Sequence, residues 1–412
     1  MNNLLFLAPV LPSPTGNGLS MRAYASLRAL SEHSHVYLLV LNKKPVDKMA
    51  DRMIRSLCRE VVFYPAGLWQ GRQFWLRAIS MVPFLGGWLY PRPSDWSTLS
   101  RVVFKNPFSV SGFDCVHLFR MYMIPLLSTI KGSATWRQAQ LDIDDLESLT
   151  RARLAALYFK RGLLTRAAQL RLESRQYLDL EKKELGVFDR VFVSSEDDRR
   201  RLVDGGLYPA PEVAPNVVDI PDVCHAATES SGDEFRFLFV GSLSYFPNVD
   251  AITRFSLQVL PAIRAAADRP VGLDIVGGGL KPRIGRQLSR CPGVRLRGYL
   301  PNIADAYRVA DAVVVPLSGG GGTRIKVLEA FAYGRCVVST PLGVEGIELD
   351  VDRHVVVGEG VEGLLAASLS VVRDPALRRS RAEHARLLVQ ERYSQTSLGD
   401  VLRCRGADIV EE

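Results

Sequence analysis

Four consecutive glycines, Gly319 to Gly322, are followed at once by Thr323, Arg324, Lys326 and Glu329. Together these residues can hold an anion beside a sugar ring. Backbone without side chains can approach a phosphate closely, and the free N–H groups and positive dipole end of a following helix face it. Arg324 adds a planar fork of donors and Lys326 a point charge. Glu329, about one turn inside the helix, is placed to accept hydrogen bonds from the two hydroxyls of a ribose. The plainer alternative is a flexible loop with a first-turn acid that satisfies the helix dipole.

Two elements must position this group. The apolar run Ala312 to Leu317 reads as a buried parallel strand, and a second begins at Cys336, with the intervening helix ended by Gly334. Loop, cations and acid coincide between two buried strands, which favours the ligand-binding reading. Strands are also expected at 236–240, 272–276, 294–297 and 354–357, with helical segments between them. Six strands in such alternation imply a parallel sheet with helices on both faces. Gly241-Ser242 and Gly277-Gly278 each follow a strand, at the end where ligands bind in open α/β sheets.

The first half has a similar rhythm: strands over residues 3–9, 35–41, 114–118 and 191–195, and a helix from about Ser20 to Leu30. Asp142, Asp144 and Asp145 come at the end of a further strand. Carboxylates this close raise one another's pKa if buried, and there they would line a ligand crevice; the alternative is a solvated turn in which Asp145 caps the next helix. Residues 151–185 read as one or two long helices with a solvated charged face. Gly16-Asn17-Gly18 resembles a dinucleotide fingerprint, but Met21 stands where the third glycine belongs. The second strand then runs into Asn42-Lys43-Lys44 rather than an acid, which argues against an NAD-type site.

The segment PLSGGGGTRIKVLEAFAYGRCVVST resembles the nucleotide-sugar segment of retaining glycosyltransferases of the GT-B fold, the large family 4 (group 1) enzymes. That family carries two glutamates eight positions apart. Glu329 matches the second, with Ala330, Ala332 and Gly334 behind it, while Gly321 occupies the place of the first. Pro215-Asn216-Val217-Val218-Asp219 is similar to the family's inter-domain crossing. The resemblance is firm over about 235–393 and weaker before that. It implies an α/β GT-B architecture, two Rossmann-like domains with parallel sheets facing across a cleft. The expected domains are an N-terminal acceptor-binding one over 1–216 and a C-terminal donor-binding one over 217–412, whose last helix packs back on the first.

The resemblance also implies sugar transfer from a nucleotide-diphosphate donor with retention, to a glycan, lipid-linked or small-molecule acceptor in cell-surface polysaccharide or glycoconjugate synthesis. It implies no cofactor and no required metal ion. Gly16, Gly18, Gly241, Ser242, Gly277, Gly278, Gly321, Gly322, Thr323, Arg324, Lys326, Val327 and Glu329 form the expected donor site. Beside Gly241 the family usually has an Arg and, about five residues on, a Lys; here Ser242 and Pro247 stand there, so Arg324 and Lys326 would replace that charge. No His lies between His117 and His225, so Asp142, Asp144 and Asp145 would take the role of the family's histidine-containing segment. A GT-B nucleotide-sugar epimerase and a non-catalytic sugar-nucleotide-binding protein stay open as alternatives.

At 412 residues with 47% hydrophobic content, the chain suits two packed domains. Its formal net charge of +8 is uneven: residues 1–216 hold 29 Lys+Arg against 20 Asp+Glu, and residues 217–412 hold 23 against 24. No RNA- or DNA-binding signature accompanies the surplus, so nucleic acid is not an expected partner. Within residues 68–96 four tryptophans interleave with arginines, which suits peripheral contact with an anionic membrane or a lipid-linked acceptor; an ordinary helical insertion is the alternative. Its longest uncharged run, Ala78 to Pro91, is too short to span a bilayer. Met1 to Val10 has no basic n-region or cleavage site. Six widely spaced cysteines without a CxxC pair fit a reducing cytoplasm rather than a disulfide framework or zinc site. A cytoplasmic protein, associated with the inner face of the plasma membrane, is therefore expected.

Overall fold

The computed structural model describes residues 1–41, 48–63, 106–130, 132–221, 233–322 and 324–403. The Trp-rich segment 68–96, Thr323 and the residues after the second strand at 42–44 lie outside these. Two compact units are present: Met1–Pro215 joined by the stretch from Thr396, and Asn216–Gln395.

Among the described residues the first unit has seven parallel strands: β1 (Asn2–Ala8), β2 (Ser34–Val40), β3 (Glu60–Phe63), β4 (Gly112–Phe119), β5 (Thr135–Asp144), β6 (Arg190–Val193) and β7 (Glu212–Val213). Their order across the sheet is β3-β2-β1-β4-β5-β6-β7. The second unit has six parallel strands, β8 (Phe235–Val240), β9 (Val271–Val276), β10 (Val294–Gly298), β11 (Ala312–Val315), β12 (Cys336–Ser339) and β13 (Val356–Val357), in the order β10-β9-β8-β11-β12-β13. The expected α/β class, with two parallel sheets, is the one observed.

Unbroken apolar runs make these strands because both faces of a parallel sheet are covered by helices. In the second unit Val313 and Val315 join one apolar layer with Val327, Leu328 and Phe331, while Ala312 and Val314 join the opposite layer with Phe237, Phe255 and Ile275. Two boundaries differ from the sequence expectation, the edge strands β3 and β7 are not among those expected, and of the one or two helices expected over 151–185 the structure has two. β11 stops at Val315 because Pro316 has no N–H to donate, and the Leu317 amide turns back to the Val315 carbonyl at 3.0 Å. The strand expected at 354–357 shortens to β13, since Asp350 caps a helical turn over Val351–His354. Residues 151–185 form two helices, Glu147–Lys160 and Leu164–Glu184, parted at Gly162 with φ 72°.

At the carboxyl end of the second sheet the loops leaving β8 and β9 are locked backbone to backbone. Gly241 donates to Val276 O at 3.0 Å and Leu243 to Gly278 O at 2.8 Å. Gly277 sits at φ 153°, and a Cβ on it would overlap the Gly241 carbonyl oxygen. Only glycine fits there. Gly277→Ala is expected to lower stability by about 1–3 kcal/mol, the scale of a strained backbone site, read as a lower midpoint in urea unfolding; an unchanged midpoint would show that the two loops can separate freely.

Candidate functional site

In the second unit the strand order reverses between β8 and β11, and the loops leaving them diverge at the carboxyl edge. That divergence is where open α/β sheets bind ligands. Pro316–Gly322 leaves β11, and the helix Ile325–Ala332 follows, from which Lys326 reaches back across the gap. Its Nζ donates to Asn248 Oδ1 at 2.7 Å and lies 4.7 Å from the centre of the Phe239 ring. Asn248, from the helix Phe246–Arg254, turns its amide nitrogen to the Ser242 carbonyl at 2.9 Å. A Cβ on Gly241 would stand 2.7 Å from the Lys326 ammonium, so glycine at the end of β8 is what admits the cation.

Burial pulls the Lys326 ammonium down to about 7, assisted by the nearby Arg324 charge and opposed by Glu329. Arg324 is buried, stands at the N-cap position of the helix without a capping side-chain bond, and donates from its guanidinium to the Gly321 carbonyl. Glu329 is pushed up to about 7 by burial, against the pull of Lys326 and Tyr307. Tyr307 is fully buried and stacked on Tyr333, with ring centres 4.6 Å apart and planes at 8°. A half-buried cation, a half-buried acid and a buried phenol are thus gathered in one place, where charge interactions are stronger than in water.

The tertiary structure therefore brings Gly241, Ser242, Gly277, Gly278, Gly321, Arg324 and Lys326 to one carboxyl edge, with Gly322 in the same loop and Glu329 one turn into the helix. Ser242 is exposed and bonds Ser244 between hydroxyls at 2.8 Å; Pro247 is buried in the first turn of its helix. The Val327 side chain lies in the core, and its amide is already bonded to the Arg324 carbonyl at 2.8 Å. Sequence reasoning missed Asn248 and Tyr307. Asn248 is 78 positions from Lys326, so no local spacing could flag it.

The remaining expected residues belong to the first unit. Gly16 has φ 114°, and Asn17 caps the helix Gly18–Ser31 by accepting from the Ser20 amide at 3.0 Å. In this sheet the order reverses between β1 and β4, and the aspartates end the adjoining β5. Asp142 has no exposed surface: Arg22 donates to it at 2.8 Å, Ser26 adds its hydroxyl, and the Asp144 amide caps Oδ1 at 3.0 Å. Arg120, leaving β4 at φ 78°, gathers Asp144 at 3.0 Å, Asp145, Glu147 at 2.6 Å and the Ile143 carbonyl at 3.1 Å. Asp145 also accepts from Thr150 Oγ1 at 2.9 Å.

Asp144 itself is in the left-handed region at φ 61°. Burial lifts its carboxyl to about 6, opposed by Arg22 and Arg120 and reinforced by Asp145 and Asp142. Four carboxylates are held by three arginines, Arg22, Arg120 and, on Glu147 at 3.2 Å, Arg151, with Asp144 and Asp145 retaining some surface and Asp142 none. His117 in β4 stacks on Phe6 at 5.1 Å, and burial pulls it down to about 4. It is a neutral core side chain. Arg22 and Glu147 escaped sequence reasoning because Arg22 is 120 positions from its aspartate.

Among the described residues no helix is long and apolar enough to cross a membrane. Comparison with known proteins gives a consistent account of the fold. No curated protein matches the chain. Among solved structures it is similar over 96% of both chains to sucrose-phosphate synthase from Thermosynechococcus elongatus (TM-score 0.66, 16% identity). It is similar over 97% of its length, and 98% of the other chain, to HepE from Anabaena in complex with UDP and glucose (TM-score 0.62, 12% identity). A third similar structure is WaaG, a glycosyltransferase involved in lipopolysaccharide biosynthesis, at TM-score 0.58 and 15% identity over 97% of this chain and 99% of that one. These likenesses show the GT-B fold. Residues 234–374, which contain the whole Gly241–Glu329 site, match the family described as Glycosyl transferases group 1.

Proposed function

We propose that the chain is a retaining glycosyltransferase that moves a sugar from a nucleotide-diphosphate donor to a glycan, lipid-linked or small-molecule acceptor, in cell-surface polysaccharide or glycoconjugate synthesis. The donor would bind to the second unit and the acceptor to the first, with no cofactor beyond the donor itself. The observation that carries this reading is the Lys326 ammonium, held by Asn248 beside Gly241 at the reversal point of the second sheet. Solved structures of similar fold bound to UDP and glucose, and the family match over 234–374, support the same reading.

The chemistry follows from charge. Breaking the bond to the sugar leaves about two negative charges on the departing diphosphate, and groups already fixed around it stabilise that charge without reorganising. Lys326, Arg324 and the loop amides are those groups here, in place of the positions held by Ser242 and Pro247. Glu329 would accept from the ribose hydroxyls, and the Asp144–Asp145 end of β5 would orient the acceptor. The basic surplus of the first half suits an acceptor carried on an anionic surface.

Titration calorimetry with a panel of nucleoside diphosphates, followed by turnover of the matching sugar donor, tests the reading; binding without transfer or hydrolysis would favour a non-catalytic sugar-nucleotide-binding protein, and no binding would reject the site. With a donor in hand, Arg324→Ala should depress kcat more than it raises KM, because its contact strengthens as the bond breaks. Arg324→Lys should already reduce turnover, since a bidentate fork is lost. Near-native kinetics for these and for Lys326→Ala would sink the relocated phosphate grip. Glu329→Ala should weaken nucleoside-diphosphate binding by about 1.5–3 kcal/mol, the scale of hydrogen bonds to a charged group, and unchanged affinity would reject the ribose role.

The affinity should also depend on pH. An anion favours the ammonium form of Lys326, which is half lost near 7, so affinity falls as pH rises above that value, by up to about tenfold per unit for one linked proton. The Glu329 carboxylate is in turn lost as pH falls through about 7. The two titrate as a pair, which gives a maximum near neutrality. Lys326→Arg should flatten the alkaline limb and Glu329→Gln the acid limb; a profile indifferent to both substitutions would separate the pair from binding.

A further inference from the structure

The helices Glu147–Lys160 and Leu164–Glu184 form a hairpin in the first unit with two unlike surfaces. The inner one is ordinary: Leu154, Leu157, Ala167, Leu170 and Tyr177 are buried. The outer one carries large apolar side chains that stand exposed among the described residues. Phe159 is 65% exposed, Leu164 58%, Leu172 50%, Leu163 45% and Leu178 44%. Exposed cations are interleaved with them: Lys160, Arg161, Arg171, Arg175, Lys182 and Lys183. Between 159 and 183 the sole exposed acid is Asp179, because Glu173 and Glu181 turn inward.

These residues fall into a pattern. At about 100° per residue, Leu164, Arg171, Arg175, Leu178 and Lys182 share one stripe along the second helix. The hairpin turn, Phe159-Lys160-Arg161-Gly162-Leu163-Leu164, is exposed at every position. A solvated face needs no row of exposed leucines, and a protein core needs no cations. An interface between water and hydrocarbon uses both, the apolar chains entering the acyl boundary and the long basic chains reaching back to headgroups.

We propose that this hairpin docks on a lipid bilayer bearing anionic headgroups, with Phe159, Leu163 and Leu164 leading and the six cations at headgroup level. The inference uses no residue of the Trp-rich segment 68–96 and is independent of the sugar-nucleotide reading. Charge complementarity selects the occupant: six cations to one acid on the exposed face match an anionic surface, and a nucleic acid would leave the apolar side chains without a partner.

Sedimentation of the full chain with vesicles of phosphatidylcholine, with or without phosphatidylglycerol, tests this. Wild type should pellet with the anionic vesicles at low salt and be released as salt screens the charges. Two variants at exposed positions, Leu163→Ser with Leu164→Ser, and Lys160→Gln with Arg161→Gln, should each lower partitioning about tenfold while nucleoside-diphosphate binding and the melting temperature stay unchanged. Failure of wild type to pellet, or either double variant pelleting like wild type, overturns the proposal. So does a lipid-free dimer, seen by analytical ultracentrifugation, that Leu163→Ser with Leu164→Ser dissociates, since the face would then be an interface between copies of the chain.

Discussion

A cation half-buried at the end of β8 is the constraint on which the second unit's carboxyl edge depends. Removing an ammonium from solvent is unfavourable unless dipoles or counter-charges replace its hydration. Here the replacement is partial: the Asn248 carbonyl oxygen, the face of Phe239 and a carboxylate one turn away, which together leave Lys326 titrating near 7. An ammonium so poorly compensated has most to gain from an arriving anion. The absence of side chains at Gly241 and Gly277 serves the same end, since either Cβ would displace the cation or the loop beside it.

The same physics takes another form in the first unit. Arg22 and Asp142 are buried together and nearly fully hydrogen-bonded, which is how an interior ion pair is tolerated. Outward from them Arg120 is shared among three carboxylates, and both Arg120 and Asp144 occupy the left-handed region. Residues other than glycine hold that conformation only where their surroundings over-determine it, and such strain gathers at working sites. The buried pair fixes the end of β5, and the strained residues present Asp144 and Asp145 at its rim.

Strand order and residue identity are separable in this fold. The same two-sheet architecture is shared with sucrose-phosphate synthase and HepE at 16% and 12% identity. What the backbone fixes is where loops diverge. Which side chains stand at that divergence is left to local sequence, and in this chain Arg324 and Lys326 stand on the wall behind β11.

The sequence by itself determined the class and the central strands, though not the edge strands β3 and β7, because a parallel strand covered on both faces must be a continuous apolar run. Phe235–Val240, Val271–Val276 and Cys336–Ser339 were legible on that ground. It also placed Gly319–Gly322, Arg324, Lys326 and Glu329 on one loop and one helical turn. Tertiary structure decided the rest. Asn248 on Lys326, Arg22 on Asp142 and Tyr307 beside Glu329 are pairings across 78, 120 and 22 positions, and no periodicity reaches that far. Nor could spacing tell which of three neighbouring aspartates is sealed: β5 carries Asp142 into the core against Arg22 and turns at Asp144, so one residue of backbone φ separates an interior ion pair from an accessible acid.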